Sequence, residues 1–129
     1  MKLIVKKYGG TSVATPTKIK NIAKKIVEES DSNKLVIVLS AMGNTTDNLV
    51  SLAKKCSKNP NLIDYDLLVS SGEQISISLL SMALKDLGKD SVAYTGWQAG
   101  IKTNNAHSTA RILGINANKI KQDLKMKKI

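Results

Sequence analysis

Apolar residues along this chain come in two kinds of run. Leu3-Ile4-Val5 and Leu35-Val36-Ile37-Val38-Leu39 are short and unbroken, which is the mark of strands covered on both faces and hence of a central, parallel sheet. The first strand is expected over Met1 to Lys7. Between the runs, Ile19, Ile22, Ala23, Ile26 and Val27 recur at i, i+3, i+4, i+7 and i+8, one face of an amphipathic helix. Thr15 is placed to cap it and Pro16 to open it, and the polar cluster Ser30 to Asn33 ends it.

The same alternation continues. Ser40 to Asp47 forms a polar loop after the second strand, and Leu49, Leu52, Ala53 and Cys56 then mark the inner face of a helix. Leu67-Leu68-Val69 leads into Ser70-Ser71-Gly72-Glu73-Gln74. Beyond it Ile75, Ile77, Leu79, Leu80, Met82, Ala83, Leu84 and Leu87 are apolar nearly all round, predicting a buried helix with Glu73 in its first turn. Gly88 and Lys89 close that helix. Ser91 to Tyr94 reads as a third strand, Arg111-Ile112-Leu113 as a short one, and Asn116 as the cap of a last helix with Ile120 and Leu124 inward. Strands alternating with helices point to an α/β protein with a mainly parallel sheet.

Composition agrees. The chain has 129 residues, the size of one domain, with 42% hydrophobic and 23% charged residues, and no Phe. Its core is therefore aliphatic. The net charge of +10 raises the question of nucleic acid, but every basic residue except Arg111 is lysine. Nucleic-acid readers favour the bidentate fork of arginine, and these lysines are dispersed on helix faces, so no nucleic-acid partner is expected. Cys56 has no internal partner and is expected as a small core residue. No signal peptide and no apolar run long enough to span a membrane is read, giving no membrane partner and a reducing cytoplasm as the setting.

The candidate chemistry sits where strands end. Lys7-Tyr8-Gly9-Gly10-Thr11-Ser12 offers a positive charge, two residues without Cβ whose N–H groups can converge on an anion, and a helix starting just beyond. A plain tight turn explains Gly9-Gly10 equally well, and neither familiar glycine-rich phosphate pattern is present. A second polar, glycine-containing loop after the second strand strengthens the anion reading. Parallel sheets gather such loops at their carboxyl edge, where ligands bind. Glu73 is either a capping device or a partner for a substrate ammonium group. Trp97, between Gly96 and Gly100, is expected to pack under its loop. His107 lacks companions at ligand spacing, so no metal site is expected.

Four motifs in order resemble one family. They are Lys7 to Val13, Ser40-Ala41-Met42-Gly43 with Thr45-Thr46-Asp47, Ser71-Gly72-Glu73-Gln74, and Tyr94 to Ile101, joined by a similar His107 to Ile112 segment. Together they look like aspartate kinase, a member of the amino-acid kinase family, with Tyr8 where Phe is usual. The resemblance implies a three-layer αβα fold of the carbamate kinase-like type, of which residues 1–129 would be the amino-terminal half of the catalytic domain. It implies transfer of the ATP γ-phosphoryl group to the side-chain carboxylate of aspartate, the first step toward lysine, threonine and methionine. Lys7 would stabilise the transferring group, and Lys7, Tyr8, Gly9, Gly10 and Ser40 would lie along the ATP phosphates. Thr46 and Glu73 would hold aspartate.

The family pattern continues with another strand and then a segment that completes the aspartate and nucleotide sites and holds most of the magnesium contacts. Residues 1–129 do not include it, so they are expected to be inactive alone and, with an open sheet edge, to self-associate as a homo-oligomer. Two other functions fit the residues less well. One is another amino-acid kinase, acting on glutamate, acetylglutamate or carbamate; the other is a basic binding module without catalysis.

Overall fold

The computed structural model describes residues 1–129. It opens with β1 (Lys2–Tyr8), α1 (Pro16–Ser30) and β2 (Asn33–Leu39), the two strands parallel and in register from Lys2↔Asn33 to Tyr8↔Leu39. Then follow α2 (Thr45–Cys56), α3 (Leu62–Asp86), an antiparallel hairpin of β3 (Ile101–Thr103) and β4 (Ile112–Ile115), and α4 (Asn118–Lys125). The protein is α/β, with helices packed on a parallel strand pair.

α1 forms as its sequence dictates. The Thr15 hydroxyl accepts from the Lys18 N–H at 3.2 Å, Pro16 occupies the first turn, and Ile19, Ile22, Ala23 and Ile26 are buried. They meet Leu35 and Leu39 of β2, Leu80 and Leu84 of α3, and Val13 from the first loop in one aliphatic core. Each such leucine or isoleucine contributes about 1.5–3 kcal/mol of burial. Lys6 reaches from β1 to an ion pair with Glu29 of α1, and this contact raises its pKa against the opposing effect of burial.

The strands are less covered than their apolar runs suggest. Leu3, Val5 and Val38 are 59%, 63% and 42% exposed. Within these residues helices cover only the Ile4, Leu35 and Leu39 side of the pair, so the opposite side faces out. The expected third strand is also missing as such. Ser91 to Tyr94 carries no strand pairing beyond two bonds to Ile129: the Ile129 N–H donates to the Asp90 carbonyl and the Val92 N–H to the Ile129 carbonyl, both at 3.0 Å. Ser91 is buried against α3, where its hydroxyl donates to the Ser81 carbonyl at 3.0 Å.

α3 departs most from the sequence reading. It is one helix of 25 residues that begins at Leu62, where the Asn61 side chain caps the Ile63 N–H at 2.8 Å. The Ser-Gly-Glu-Gln motif therefore lies mid-helix and does not open it. Serine and glycine read as a break, yet the helix runs on through them: the Ser70 and Ser71 hydroxyls are satisfied by the carbonyls of Leu67 and Leu68 at 3.0 and 2.6 Å, and packing on α1, α2 and β2 sustains the helix. Nor is α3 buried all round, for Ile75 and Met82 are 48% and 60% exposed. It is long and apolar enough by composition to cross a membrane, a property that the core helix of a soluble protein shares. Here it packs on α1, α2 and β2 as a core helix.

Three smaller expectations also change. Cys56 and Leu52 are exposed, because α2 inserts only Ala53 fully and ends before its last turn reaches cover. Trp97 is 80% exposed, and its loop is held instead by the Gln98 side chain, which accepts from the Thr95 N–H at 3.0 Å. α4 starts at Asn118, with Asn116 accepting from the Asn118 N–H at 3.1 Å; Leu124 is buried and Ile120 half-buried.

Candidate functional site

The ends of β1 and β2 are knitted together. Beyond the register pair Tyr8↔Leu39, the Ser40 N–H donates to the Tyr8 carbonyl at 3.1 Å and the Gly43 N–H to the Gly10 carbonyl at 3.0 Å. The glycine loop then turns on itself, with Ser12 donating to Gly9 at 3.0 Å and Val13 to Gly10 at 3.3 Å. The N–H groups of Gly9, Gly10 and Thr11 donate to no protein acceptor. Three successive amides left free beside a lysine make a surface able to receive phosphate oxygens.

The two glycines differ in what requires them. A Cβ on Gly10 would stand 2.8 Å from the Ala41 carbonyl oxygen, so loop-to-loop packing alone demands glycine there. A Cβ on Gly9 would meet nothing within 4 Å. The space beside Gly9 is therefore open. Neither takes positive φ; that conformation falls at Gly43, with φ +49°. What the first loop uses is the missing side chain.

α3 closes the third side. Gly72 packs so tightly that an added Cβ would be 2.9 Å from Ala41 Cβ and 3.3 Å from Thr45 Cγ2. One turn on, the fully buried Ser76 hydroxyl donates to the Ser40 carbonyl at 2.8 Å and lies 3.1 Å from the Glu73 carbonyl oxygen. Glu73, between these two anchors, is half-buried at the rim of a groove of about 820 Å³ that Val36 and Val38 also line. Lys7 is the register partner of Val38, and partners in a parallel pair project to the same face, so Lys7 and Val38 share a side of the sheet. Thr46 is half-buried in the first turn of α2, whose start is fixed by the Thr45 hydroxyl donating to the Met42 carbonyl at 2.6 Å.

The strand ends bring Lys7, Tyr8, Gly9, Gly10 and Ser40 to the carboxyl edge of the strand pair, and the Ser76 bond ties the helix that carries Glu73 to Ser40; Lys7 itself lies on the outward face of the sheet, opposite the face that α1 and α3 cover. Tyr8 turns away from that edge, half-buried against the core. Sequence reasoning missed Ser76, and read Gly72 as part of a motif without its packing role; these two residues fix Glu73 against the second loop. A small residue and a hydroxyl facing one way along an otherwise apolar helix is the signal that marks them.

Residues 2–129 match the model of the amino acid kinase family. The chain belongs to that family. Among individual amino-acid kinases, it is 50% identical over its whole length to Aspartokinase 2 of Bacillus subtilis and 49% identical to the aspartokinase of Bacillus sp. strain MGA3. It spans about a third of each, 32% of their length. Its fold superposes on the crystal structure of aspartate kinase from Synechocystis with a TM-score of 0.82 at 40% identity, over 97% of this chain and 20% of that one. The structure of E. coli aspartokinase III in complex with aspartate and ADP shares the fold, with a TM-score of 0.69 at 21% identity.

Proposed function

We propose that this chain is part of an aspartate kinase and carries the first half of its active site, the remainder of the site lying outside these residues. The reaction transfers the γ-phosphoryl group of ATP to the side-chain carboxylate of aspartate. That carboxylate is ionised at pH 7 and attacks phosphorus directly, so no general base is needed. What the protein must supply is positioning and neutralisation of charge. Lys7 places its ammonium beside the transferring group, the free amides at Gly9 and Gly10 receive phosphate oxygens, and Ser40 borders the nucleotide phosphates. Glu73 takes the substrate ammonium and Thr46 a second polar contact to aspartate.

The observation that carries this reading is the convergence itself. Hydrogen bonds from Ser40 to Tyr8, Gly43 to Gly10 and Ser76 to Ser40 link the glycine loop, the second loop and the helix that carries Glu73, which supports the reading. The relatives named aspartokinase supply the substrate. Magnesium would accompany the ATP phosphates and be held mostly by residues outside 1–129. The reading also puts the enzyme in the cytoplasm, with its ATP and aspartate, as a homo-oligomer.

The test is a chimera joining residues 1–129 to the remaining part of B. subtilis Aspartokinase 2. It is expected to phosphorylate aspartate in preference to glutamate, acetylglutamate and carbamate. Preference for any of those three would replace the substrate and overturn the proposal.

A further inference from the structure

The hairpin of β3 and β4 stands off the helices, and one side chain holds its tip. β4 is exposed throughout, and residues 104–111 turn on their own bonds: the Asn104 N–H donates to the Arg111 carbonyl across the neck at 3.0 Å, and the Thr109 N–H to the Ala106 carbonyl at 3.0 Å. Outside the hairpin, only Asp66 of α3 hydrogen-bonds to this tip. Its Oδ2 accepts from the Ser108 N–H at 2.8 Å and lies 3.3 Å from His107 Nδ1, while its Oδ1 accepts from the Ser108 hydroxyl at 3.2 Å. Ser108 has φ +66°, a conformation that costs free energy in a residue with a Cβ, and in it both polar groups reach one carboxylate. The Ser108 N–H, before any other contact, holds the Asp66 carboxyl below the usual carboxylate range.

The place of Asp66 along α3 decides what this latch faces. α3 runs antiparallel to β2, because Ser76 bonds the carbonyl of Ser40 just past the end of β2, and Lys89, just past the end of α3, bonds Asp31 ahead of its start. The part of α3 before Ser76 therefore projects beyond the strand ends. Asp66 stands about 15 Å from Ser76 along the helix axis, with Glu73 between them. Asp66, Ser70, Glu73 and Ile77 fall at helical spacing on one face, and the last three line the groove. The hairpin tip is thus fixed on the Glu73 face of α3, about 10 Å farther out than Glu73 itself. That leaves room for one small amino acid between the strand ends and His107-Ser108.

We propose that Asp66 is a positioning residue for the acceptor site: by latching His107 and Ser108 it sets the outer wall of the compartment in which Glu73 meets the substrate amino acid. This rests on the reading of Glu73 given above and goes beyond it, for Asp66 touches no substrate and acts through the hairpin. Releasing the tip leaves the glycine loop, Glu73 and the aliphatic core in place. It removes only the wall against which the amino acid is held.

The experiment compares Asp66→Ala, Asp66→Asn and Asp64→Ala in the chimera with B. subtilis Aspartokinase 2, measuring KM for ATP and for whichever acceptor the parent chimera prefers. Asp66→Ala is expected to raise the acceptor KM about tenfold while the KM for ATP and the urea midpoint stay close to the parent values, because a wall lost at an exposed tip misplaces one substrate only. Asp66→Asn keeps one oxygen for the Ser108 N–H, so its rise is expected to be smaller. Asp64→Ala removes an exposed carboxylate of α3 that has no bond to the hairpin, and is expected to give none. Hydrogen exchange over residues 104–111 is expected to be faster in Asp66→Ala than in the parent. An unchanged acceptor KM, equal rises for both substrates, the same rise in Asp64→Ala, or unchanged exchange at the tip overturns the proposal. A parent chimera that prefers another amino acid would overturn the aspartate reading alone, since the wall is tested on the acceptor actually used.

Discussion

The hydroxyl of Ser76, wholly buried in α3, donates to the backbone carbonyl of Ser40 at 2.8 Å. This bond fastens the helix that carries Glu73 to the loop that follows β2. Ser76→Ala leaves the Ser40 carbonyl without that donor in a buried setting and is expected to cost about 1–3 kcal/mol. Urea denaturation checks this. In the chimera described above, the same change is expected to raise the KM for aspartate more than that for ATP.

Gly72 gives a contest of two effects with a definite sign. Glycine to alanine within a helix stabilises by about 1 kcal/mol on propensity alone. Against that, the new methyl would sit 2.9 Å from Ala41 Cβ and 3.3 Å from Thr45 Cγ2, and overpacking of this kind costs about 1–3 kcal/mol. Gly72→Ala is therefore expected to be net destabilising, with a lower urea midpoint; a higher midpoint would show that α3 can shift away from the second loop without penalty.

For Lys7, removal of a charge aimed at a transferring phosphoryl group typically costs about 100- to 1000-fold in rate. Lys7→Ala in the chimera is expected to lower kcat on that scale. Lys6→Ala, which loses only the contact to Glu29, is expected to leave kcat close to its parent value. Equal losses for both would remove the distinction between the outward and inward lysines of β1.

The Tyr94 hydroxyl donates to Asp123 Oδ2 at 2.5 Å, tying the 91–96 segment to α4. Burial first, and then this bond, push the Tyr94 phenol up to about 12, while the same bond first, and Lys128 next, hold Asp123 below the usual carboxylate range. For Tyr94 the folded pKa lies above the unfolded one, so its contribution is full below about pH 10 and lost as pH rises toward 12. For Asp123 the folded pKa lies below, so its contribution is present above about pH 4 and lost as pH falls further. Tyr94→Phe is expected to cost about 1–2 kcal/mol at pH 7 and to flatten the alkaline limb of stability against pH.

Much of this site is legible in the sequence because its first part is local. β1, its glycine loop and α1 follow one another along the chain, and apolar period, Thr15 and Pro16 specify each in turn. Glu73 is different. Its environment depends on α3 running unbroken from Leu62 and on Gly72 meeting Ala41, a contact between residues far apart in sequence. Serine and glycine in series carry the local signal of a helix start, and tertiary packing overrides it. The exposed Val38, Trp97 and Cys56 share another cause: an apolar residue announces that it would be buried by a neighbour, and not whether that neighbour lies within these residues.

The most direct measurement is a crystal structure of the chimera with aspartate and ADP. The aspartate ammonium is expected about 3 Å from the Glu73 carboxylate, with the substrate's side-chain carboxylate turned toward Lys7 and the Gly9 amide. Aspartate bound on any other face, with Glu73 left facing solvent, would contradict a shared site between the two strand ends and α3.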